Sequence, residues 1–239
     1  MITTIDDGHV RALTIDRPQR RNAFDQEQYH ALATALSDAA AATEVHVVVL
    51  TGVGSAFSAG QDLKEMAAMA SGTAGPGPHD GFPHLLGELE SFSKPLLAAV
   101  NGDAVGIGMT MLLHVDIVIV ATDARLRVPF SELGVPPEAG SSALLADLVG
   151  WQQAAELLFT SRWIDGAEAV TLGLALRHAP RDEVLAATLT LAHTIATQSP
   201  EAVRTAKRLM LASRAERTRL ARRGEDAAFA ALFTGTADA

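Results

Sequence analysis

Glu138 is an acid whose neighbours in the sequence could make it a proton carrier. Two prolines precede it and a turn of small residues follows it, so few polar groups nearby can pair with its carboxylate. Burial without a partner raises the pKa of a carboxyl and makes it a usable general base near neutral pH. The same residue could instead be an exposed loop acid ahead of a helix N-capped by Ser141 or Ser142. Glu132 competes for the role of base but is typical of the first turn of a helix.

Two glycine-rich turns could supply backbone N–H groups to a developing negative charge. In the first turn, Gly60 lets the backbone reverse and leaves the N–H of Gln61 pointing outward. In the second, Gly106 and Gly108 bracket Ile107 at the start of a predicted helix, where an N–H has no carbonyl partner. If the two N–H groups converge at strand ends, they form an oxyanion hole. The alternative is that both turns are ordinary glycine-rich connections.

The other common catalytic and binding motifs are missing from the 239 residues. The sequence contains no cysteine, and it matches neither the dinucleotide, P-loop and nucleophile-elbow patterns nor the H-E-x-x-H pair. We therefore predict no bound metal and none of the usual cofactors. A formal charge of −9 with only 5% aromatic residues argues against a nucleic-acid partner.

Nothing in the sequence predicts a membrane partner. The first seven residues lack the apolar region of a secretory signal, and Ala104–Ala121, which is long enough to span a bilayer, contains His114 and Asp116. We interpret that stretch as a buried helix followed by a buried strand. The expected protein is soluble, globular and cytoplasmic.

Hydrophobic patterning predicts an α/β protein. Strands alternate with helices up to about residue 180, which indicates right-handed crossover units and a largely parallel sheet. No strand pattern follows, so we predict a core over residues 1–180 and a helical region over residues 181–239. Asp25 is the expected N-cap of the first helix, with Gln28 in the capping-box position. The expected strands are Thr3–Ile5, Arg11–Ile15, Val45–Thr51, Leu96–Val100, Asp116–Ala121 and Arg125–Val128, and the expected helices are 25–42, 62–70, one from about Gly106, 182–197 and 199–223.

Several stretches carry a family resemblance: 17–23, 47–52, 57–64, 94–108, 116–121 and the helix around 199–210. Together they span nearly the whole chain and resemble the crotonase superfamily, also called the enoyl-CoA hydratase/isomerase family. The resemblance implies a spiral of ββα units with a C-terminal trimerisation region, in a trimer or a dimer of trimers. It also implies an acyl-CoA thioester as substrate, no separate cofactor, and an enolate oxygen held by the N–H groups of Gln61 and Ile107.

Departures from the family pattern narrow the expected reaction. Hydratases of the family use two glutamates, whose positions match Thr110 and Phe130 here. By contrast, residues 129–142 resemble the Δ3,Δ2-enoyl-CoA isomerase branch, in which a single glutamate at the position of Glu138 is the base. The sequence therefore favours an isomerase. A hydratase, another CoA-thioester enzyme or an inert CoA-binding oligomer remain alternatives.

The resemblance also implies which residues contact the substrate. Ser71–Pro83, with four glycines and three prolines, is expected to be a mobile loop that could close over the acyl chain. Residues 201–224 contain eight of the 19 Lys and Arg residues and only two acids. This excess of basic residues is either a solvated helix face or a site at which Lys207 or Arg208 contacts the 3′-phosphate of the coenzyme. The implied substrate contacts are Arg21, Ser58, Ala59, Gly60, Gln61, Asp62, Leu63, Gly106, Gly108 and Phe130.

Overall fold

The computed structural model describes residues 1–71 and 80–234. The chain opens with a hairpin in which β1 (Ile2–Asp7) pairs antiparallel with β2 (Val10–Ile15). A 3-10 turn, Pro18–Arg20, leads to helix α1 (Gln26–Ala41). The side chain of Asp25 accepts a hydrogen bond from the N–H of Gln28 at 2.9 Å, so the predicted N-cap is confirmed. The predicted capping box is wrong, because the side chain of Gln28 bonds to Met1 rather than to the backbone of Asp25.

Three consecutive ββα units form the centre of the molecule. The first strand of each unit joins one sheet, the second strand joins another sheet, and a helix follows. This alternation produces the predicted spiral, with a segment that includes α3 (Gly81–Ser91) inserted between the first two units. The units are β3 (Val47–Gly52), β4 (Ala56–Ser58) and α2 (Leu63–Ala70); β5 (Leu96–Val100), β6 (Asp103–Val105) and α4 (Ile107–Thr110); and β7 (Ile117–Ala121), β8 (Arg125–Arg127) and α5 (Phe130–Leu133).

The remaining elements are mainly helical. Helix α4 continues as a 3-10 turn, Met111–His114, so the helix predicted from Gly106 is short. Later come α6 (Ser141–Val149), α7 (Trp151–Thr160), β9 (Ile164–Asp165), α8 (Gly166–Thr171), β10 (Arg177–Ala179), α9 (Val184–Ala196) and α10 (Pro200–Thr234). No helix in the described ranges is both long and apolar enough to cross a membrane.

Two sheets organise the core. The larger has the strand order β1-β2-β3-β5-β7-β10 and is parallel from β2 onward, and the smaller has the order β4-β6-β8-β9. Every residue of β5 is buried, as expected for a parallel strand covered on both faces. Helix α9 packs against β3, β5 and β7. The predicted α/β class with C-terminal helices is confirmed.

Two predicted boundaries are wrong. Of the predicted loop Ser71–Pro83, residues 72–79 lie outside the described part, and Gly81–Pro83 form the first turn of α3. A proline is tolerated in a first helical turn, because its missing N–H would have no helical partner there. Helix α10 continues to Thr234 rather than ending at Arg223, with Gly224 in its interior.

Candidate active site

The two glycine-rich turns lie side by side because the strands that lead into them are neighbours. Strand β4 pairs in parallel with β6, so both chains leave the small sheet at the same edge. Gly60 has a φ of +91°, and a Cβ built on it would lie 2.7 Å from the carbonyl oxygen of Val105 and 3.8 Å from the Cα of Gly106. Such close contact between the turns requires glycine at position 60.

Both turns present an N–H group without a partner among the described residues. Phe24 bonds to the two neighbours of Gln61, since its N–H donates to the carbonyl of Gly60 and its carbonyl accepts from the N–H of Asp62. The N–H of Gln61 therefore points away from Phe24. The N–H of Ile107 is the first of helix α4 and has no helical carbonyl to bond. The predicted pair of amides is thus adjacent and available, and its role as an oxyanion hole stays a prediction.

Two sets of neighbours connect the segment around Glu138 to these turns. The 3-10 turn that continues the helix begun by Ile107 ends at His114, whose Nε2 lies 2.8 Å from the carbonyl oxygen of Ala139. On the other side, the charge of Glu138 contributes to the raised pKa of Tyr29, whose ring packs 5.0 Å from the ring of Phe24, the residue bridged to the first turn. These links connect the segment around Glu138 to the elements that carry the two turns, and the placement of its carboxyl opposite the two amides stays a prediction.

The carboxyl of Glu138 has the properties expected of a base that works near neutral pH. The residue is half-buried, and its side chain has no hydrogen-bond partner among the described residues. Burial raises the pKa of Glu138 to about 7, and the negative charge of Glu225 adds to the effect. At neutral pH the group can both accept and release a proton.

Glu132, the competing acid, has a structural contact instead. It lies in α5, is 60% exposed, and forms an ion pair with Arg127. The alternative that Ser141 or Ser142 caps the next helix is wrong, because the N-cap of α6 is Gly140, with a φ of +72°.

The residues of the first turn that are implied to contact the coenzyme are held by hydrogen bonds within the protein. The hydroxyl of Ser58 accepts the N–H of Gly60 at 3.1 Å, and the N–H of Ala59 donates to the carbonyl of Arg21. Asp62 caps α2 by accepting the N–H of Lys64. Although burial opposes the change, hydrogen bonds from Lys64 and Arg17 lower the pKa of Asp62, so it is an unsuitable base.

The other implied contacts differ in exposure. Leu63 is 64% exposed at the start of α2, whereas Phe130 is buried. Gly108 lies against Ser58, since a Cβ on it would approach the Ser58 carbonyl oxygen to 2.5 Å. The guanidinium of Arg21 is half exposed and bonds to Asp103 at 2.6 Å. Direct contact of these residues with a coenzyme stays a prediction.

Lys207 is occupied within the subunit. It is 5% exposed, and its Nζ donates to the carbonyl of Lys94 at 2.7 Å and to Asp116 at 2.8 Å. Of the two basic residues considered for the 3′-phosphate, Arg208 alone is exposed. Lys207 instead joins α10 to the start of β7.

We expect Lys207→Met to lower the free energy of unfolding by roughly 2–4 kcal/mol, because it leaves a carboxylate and a carbonyl without their cation. Chemical denaturation of both proteins measures the difference. Arg208→Ala, one residue further along the same helix, is the control and should stay within about 0.5 kcal/mol of the wild type. Equal stability of the Lys207 variant and the wild type would contradict the structural role.

Two residues of this region, His114 and Glu225, were not predicted from the sequence as part of the site. His114 is buried in an apolar stretch, and Glu225 follows a run of basic residues. The signal in the sequence is therefore a polar or acidic residue whose type differs from that of its neighbours. Only the fold reveals that both contact the segment after Glu138. Among the described residues, no group of three or more acidic or histidine side chains could hold a metal ion.

The spiral of ββα units and the adjacent turns define a protein of the crotonase type, and comparison with known proteins agrees. The chain belongs to the enoyl-CoA hydratase/isomerase family, whose sequence model matches residues 6–237. It is 36% identical over 201 residues to the 2,3-dehydroadipyl-CoA hydratase of Escherichia coli (strain K12), covering 84% of this chain and 78% of that protein.

Two further relatives show how broad the likeness is. Enoyl-CoA delta isomerase 2 of Rattus norvegicus is 32% identical over 212 residues, which are 87% of this chain and 54% of that longer protein. The crystal structure of an enoyl-CoA hydratase/isomerase from Pseudoalteromonas atlantica T6c matches with a TM-score of 0.90 and 34% identity, covering 96% of this chain and 90% of that one. The protein is therefore an enzyme of a family that acts on CoA thioesters.

Proposed function

We propose that the protein is a Δ3,Δ2-enoyl-CoA isomerase in which Glu138 carries the proton. The observation on which the proposal depends is the carboxyl of Glu138, which has no hydrogen-bond partner among the described residues and whose pKa burial raises to about 7. Removing a proton from C2 of a 3-enoyl thioester gives a dienolate, and returning one at C4 gives the conjugated 2-enoyl thioester. One carboxylate above the plane of the dienolate can perform both transfers.

The backbone has the complementary task of stabilising the charge. When the C2 proton leaves, negative charge develops on the thioester oxygen. The N–H groups of Gln61 and Ile107 would bind that oxygen, and each such donor is typically worth roughly 3–4 kcal/mol in the transition state. The proton removed by Glu138 is returned to the same molecule, so the reaction consumes no co-reactant. The coenzyme is part of the substrate, and no other cofactor is needed for this chemistry.

Hydration is the second candidate, and it is favoured by the similarity to hydratases such as the Escherichia coli 2,3-dehydroadipyl-CoA hydratase. Addition of water requires one group to activate the water and another to deliver a proton to carbon. The two positions that carry glutamate in hydratases are Thr110 and Phe130 here, and both side chains are buried without an ionisable group. This difference is the reason to prefer isomerisation.

The two candidates are separated by giving the purified protein a 3-enoyl-CoA and, in a second reaction, crotonyl-CoA. Isomerisation leaves the mass unchanged and produces the ultraviolet absorbance of a conjugated thioester, hydration adds the mass of water, and hydrolysis releases CoA. We expect isomerisation to exceed hydration by more than about tenfold, because a missing general base typically costs 10²–10⁴-fold. Comparable rates of the two reactions would contradict the proposal, and binding of CoA without any turnover would support an inert protein.

A further inference from the structure

Glu225 is an acidic residue of α10 whose carboxylate is turned inward. It is 7% exposed and lies just beyond a run of basic residues. Its Oε2 accepts the N–H of Gly140 at 2.7 Å, and its Oε1 accepts the N–H of Ser142 at 2.9 Å and the hydroxyl of Ser142 at 2.6 Å. All three donors lie two to four residues after Glu138. One carboxylate therefore holds the segment that carries the proposed base.

The backbone of that segment needs such support. Ala139 has a φ of +60° and Gly140 a φ of +72°, both in the left-handed region. An alanine pays about 1–2 kcal/mol for this conformation. Strained residues persist where the surrounding contacts leave no alternative. Here His114 bonds to the carbonyl of Ala139 from one side, and Glu225 bonds to the next N–H groups from the other.

The groups around Glu138 differ in charge. Burial lowers the pKa of His114 to about 4, so its imidazole is neutral at neutral pH. Burial and the nearby acids raise the pKa of Tyr29, which keeps the phenol neutral as well. Arg222, one turn before Glu225 on α10, is ion-paired with a glutamate of α3 at 3.0 Å.

The other acids near Tyr29 have polar partners of their own. Glu65 on α2 accepts the N–H of Gln26 at 3.1 Å, and Asp25 pairs with Arg17 at 2.8 Å. Glu225 is thus the charge that bears directly on Glu138, and it has the sign that disfavours ionisation.

We propose that Glu225 is a positioning residue, which holds the loop after Glu138 in its working conformation and places a second negative charge beside that base. The inference rests on the proposed role of Glu138. It assigns to the C-terminal helix a part in the chemistry of its own subunit. Glu225 does not touch the substrate, and it acts on the reaction through the position and the ionisation of Glu138.

The first test is Glu225→Gln, which removes the charge but keeps one amide oxygen as an acceptor. We expect kcat for isomerisation to fall roughly tenfold with an unchanged KM, because a small displacement of a catalytic group costs rate rather than binding. We also expect the acidic limb of kcat/KM to move to lower pH. That limb reports the base of the free enzyme, and loss of a neighbouring negative charge lowers the pKa of Glu138 toward the ordinary glutamate range.

The matched control is Glu216→Gln on the same helix. Glu216 is 78% exposed and pairs with Arg219, so its variant loses the same charge without touching the loop. It should keep the wild-type kcat and pH profile. A second variant, Ser142→Ala, removes the hydroxyl donor but keeps the charge of Glu225. It should lower kcat by less than Glu225→Gln does and leave the acidic limb of kcat/KM at the same pH. If the Glu225 variant does not fold, Ser142→Ala is the test of the positioning role.

A titration that needs no turnover separates this inference from the proposed function. The carboxyl carbon of Glu138, ¹³C-labelled and assigned by comparison with Glu138→Gln, is followed by NMR against pH in the wild type and in Glu225→Gln. We expect the midpoint to be lower in the variant. An unchanged midpoint together with an unchanged kcat would overturn the inference, even if the wild type isomerises 3-enoyl-CoA. A shifted midpoint in a protein that does not isomerise would overturn the proposed function alone.

Discussion

Glu138→Gln should lower kcat for isomerisation of a 3-enoyl-CoA by roughly 10²–10⁴-fold, the usual contribution of a general acid–base group. The amide has nearly the same shape, but it cannot accept the C2 proton or return it at C4. Because the carboxyl of Glu138 has no hydrogen-bond partner among the described residues, its replacement breaks no bond that the structure shows. KM should therefore stay close to that of the wild type, since the glycine-rich turns are unchanged. Initial rates followed by the absorbance of the conjugated product measure the effect.

Glu132→Gln is the matched control, because it changes another acid six residues away that is exposed and ion-paired. Its kcat should remain within about threefold of the wild type, as for most surface substitutions. The wild type should also lose kcat/KM as the pH falls through about 7, since the ionised form of Glu138 is the base and its pKa is raised to that value. Near wild-type turnover in Glu138→Gln would remove the residue from the mechanism.

The same pKa has a consequence for stability. The folded protein holds the carboxyl of Glu138 with a pKa above that of an unfolded chain, so the neutral form is favoured on folding. This contribution is complete at low pH and is lost as the pH rises through about 7. Above that pH, Glu138→Gln should be at least as stable as the wild type, which distinguishes loss of activity from loss of fold.

Local patterns in the sequence were sufficient to predict the strands and turns that position the site. The continuous apolar run that became β5 and the glycines at 60 and 106 predicted strands followed by sharp turns, and the structure contains both. The unusual setting of Glu138 between prolines and small residues pointed to an acid with few partners. These features are local, because strand periodicity and left-handed turns depend on a few adjacent residues.

Contacts between distant parts of the chain could not be predicted in this way. Glu225 lies 85 residues from Gly140 and 83 from Ser142, and nothing in the sequence near any of them indicates the pairing. Lys207 likewise looked like a surface cation on a basic helix, yet it bonds to Asp116, 91 residues earlier. Such partners are determined by how α10 packs on the core, which periodicity along a helix does not report.

The first glycine-rich turn depends on the glycine at position 60. Gly60→Ala should lower kcat by roughly 10²–10³-fold, the cost of losing one oxyanion donor. A Cβ at position 60 would lie 2.7 Å from the carbonyl oxygen of Val105, and the φ of +91° strains any residue other than glycine. The backbone must therefore shift, and the N–H of Gln61, the next residue, must shift with it. Steady-state kinetics with a 3-enoyl-CoA measure the loss.

Gly150→Ala separates that effect from backbone strain in general. Gly150 has a φ of +83°, but it lies between α6 and α7, and a Cβ on it would meet nothing within 4 Å. Its variant should lose stability, as strained residues cost of order 1–3 kcal/mol, and should keep the wild-type kcat. Equal kcat in the Gly60 and Gly150 variants would mean that the N–H of Gln61 does not bind the developing negative charge. A selective loss in Gly60→Ala supports a role for that amide, because the two substitutions share a positive φ, whereas only Gly60→Ala displaces the turn that carries the N–H of Gln61.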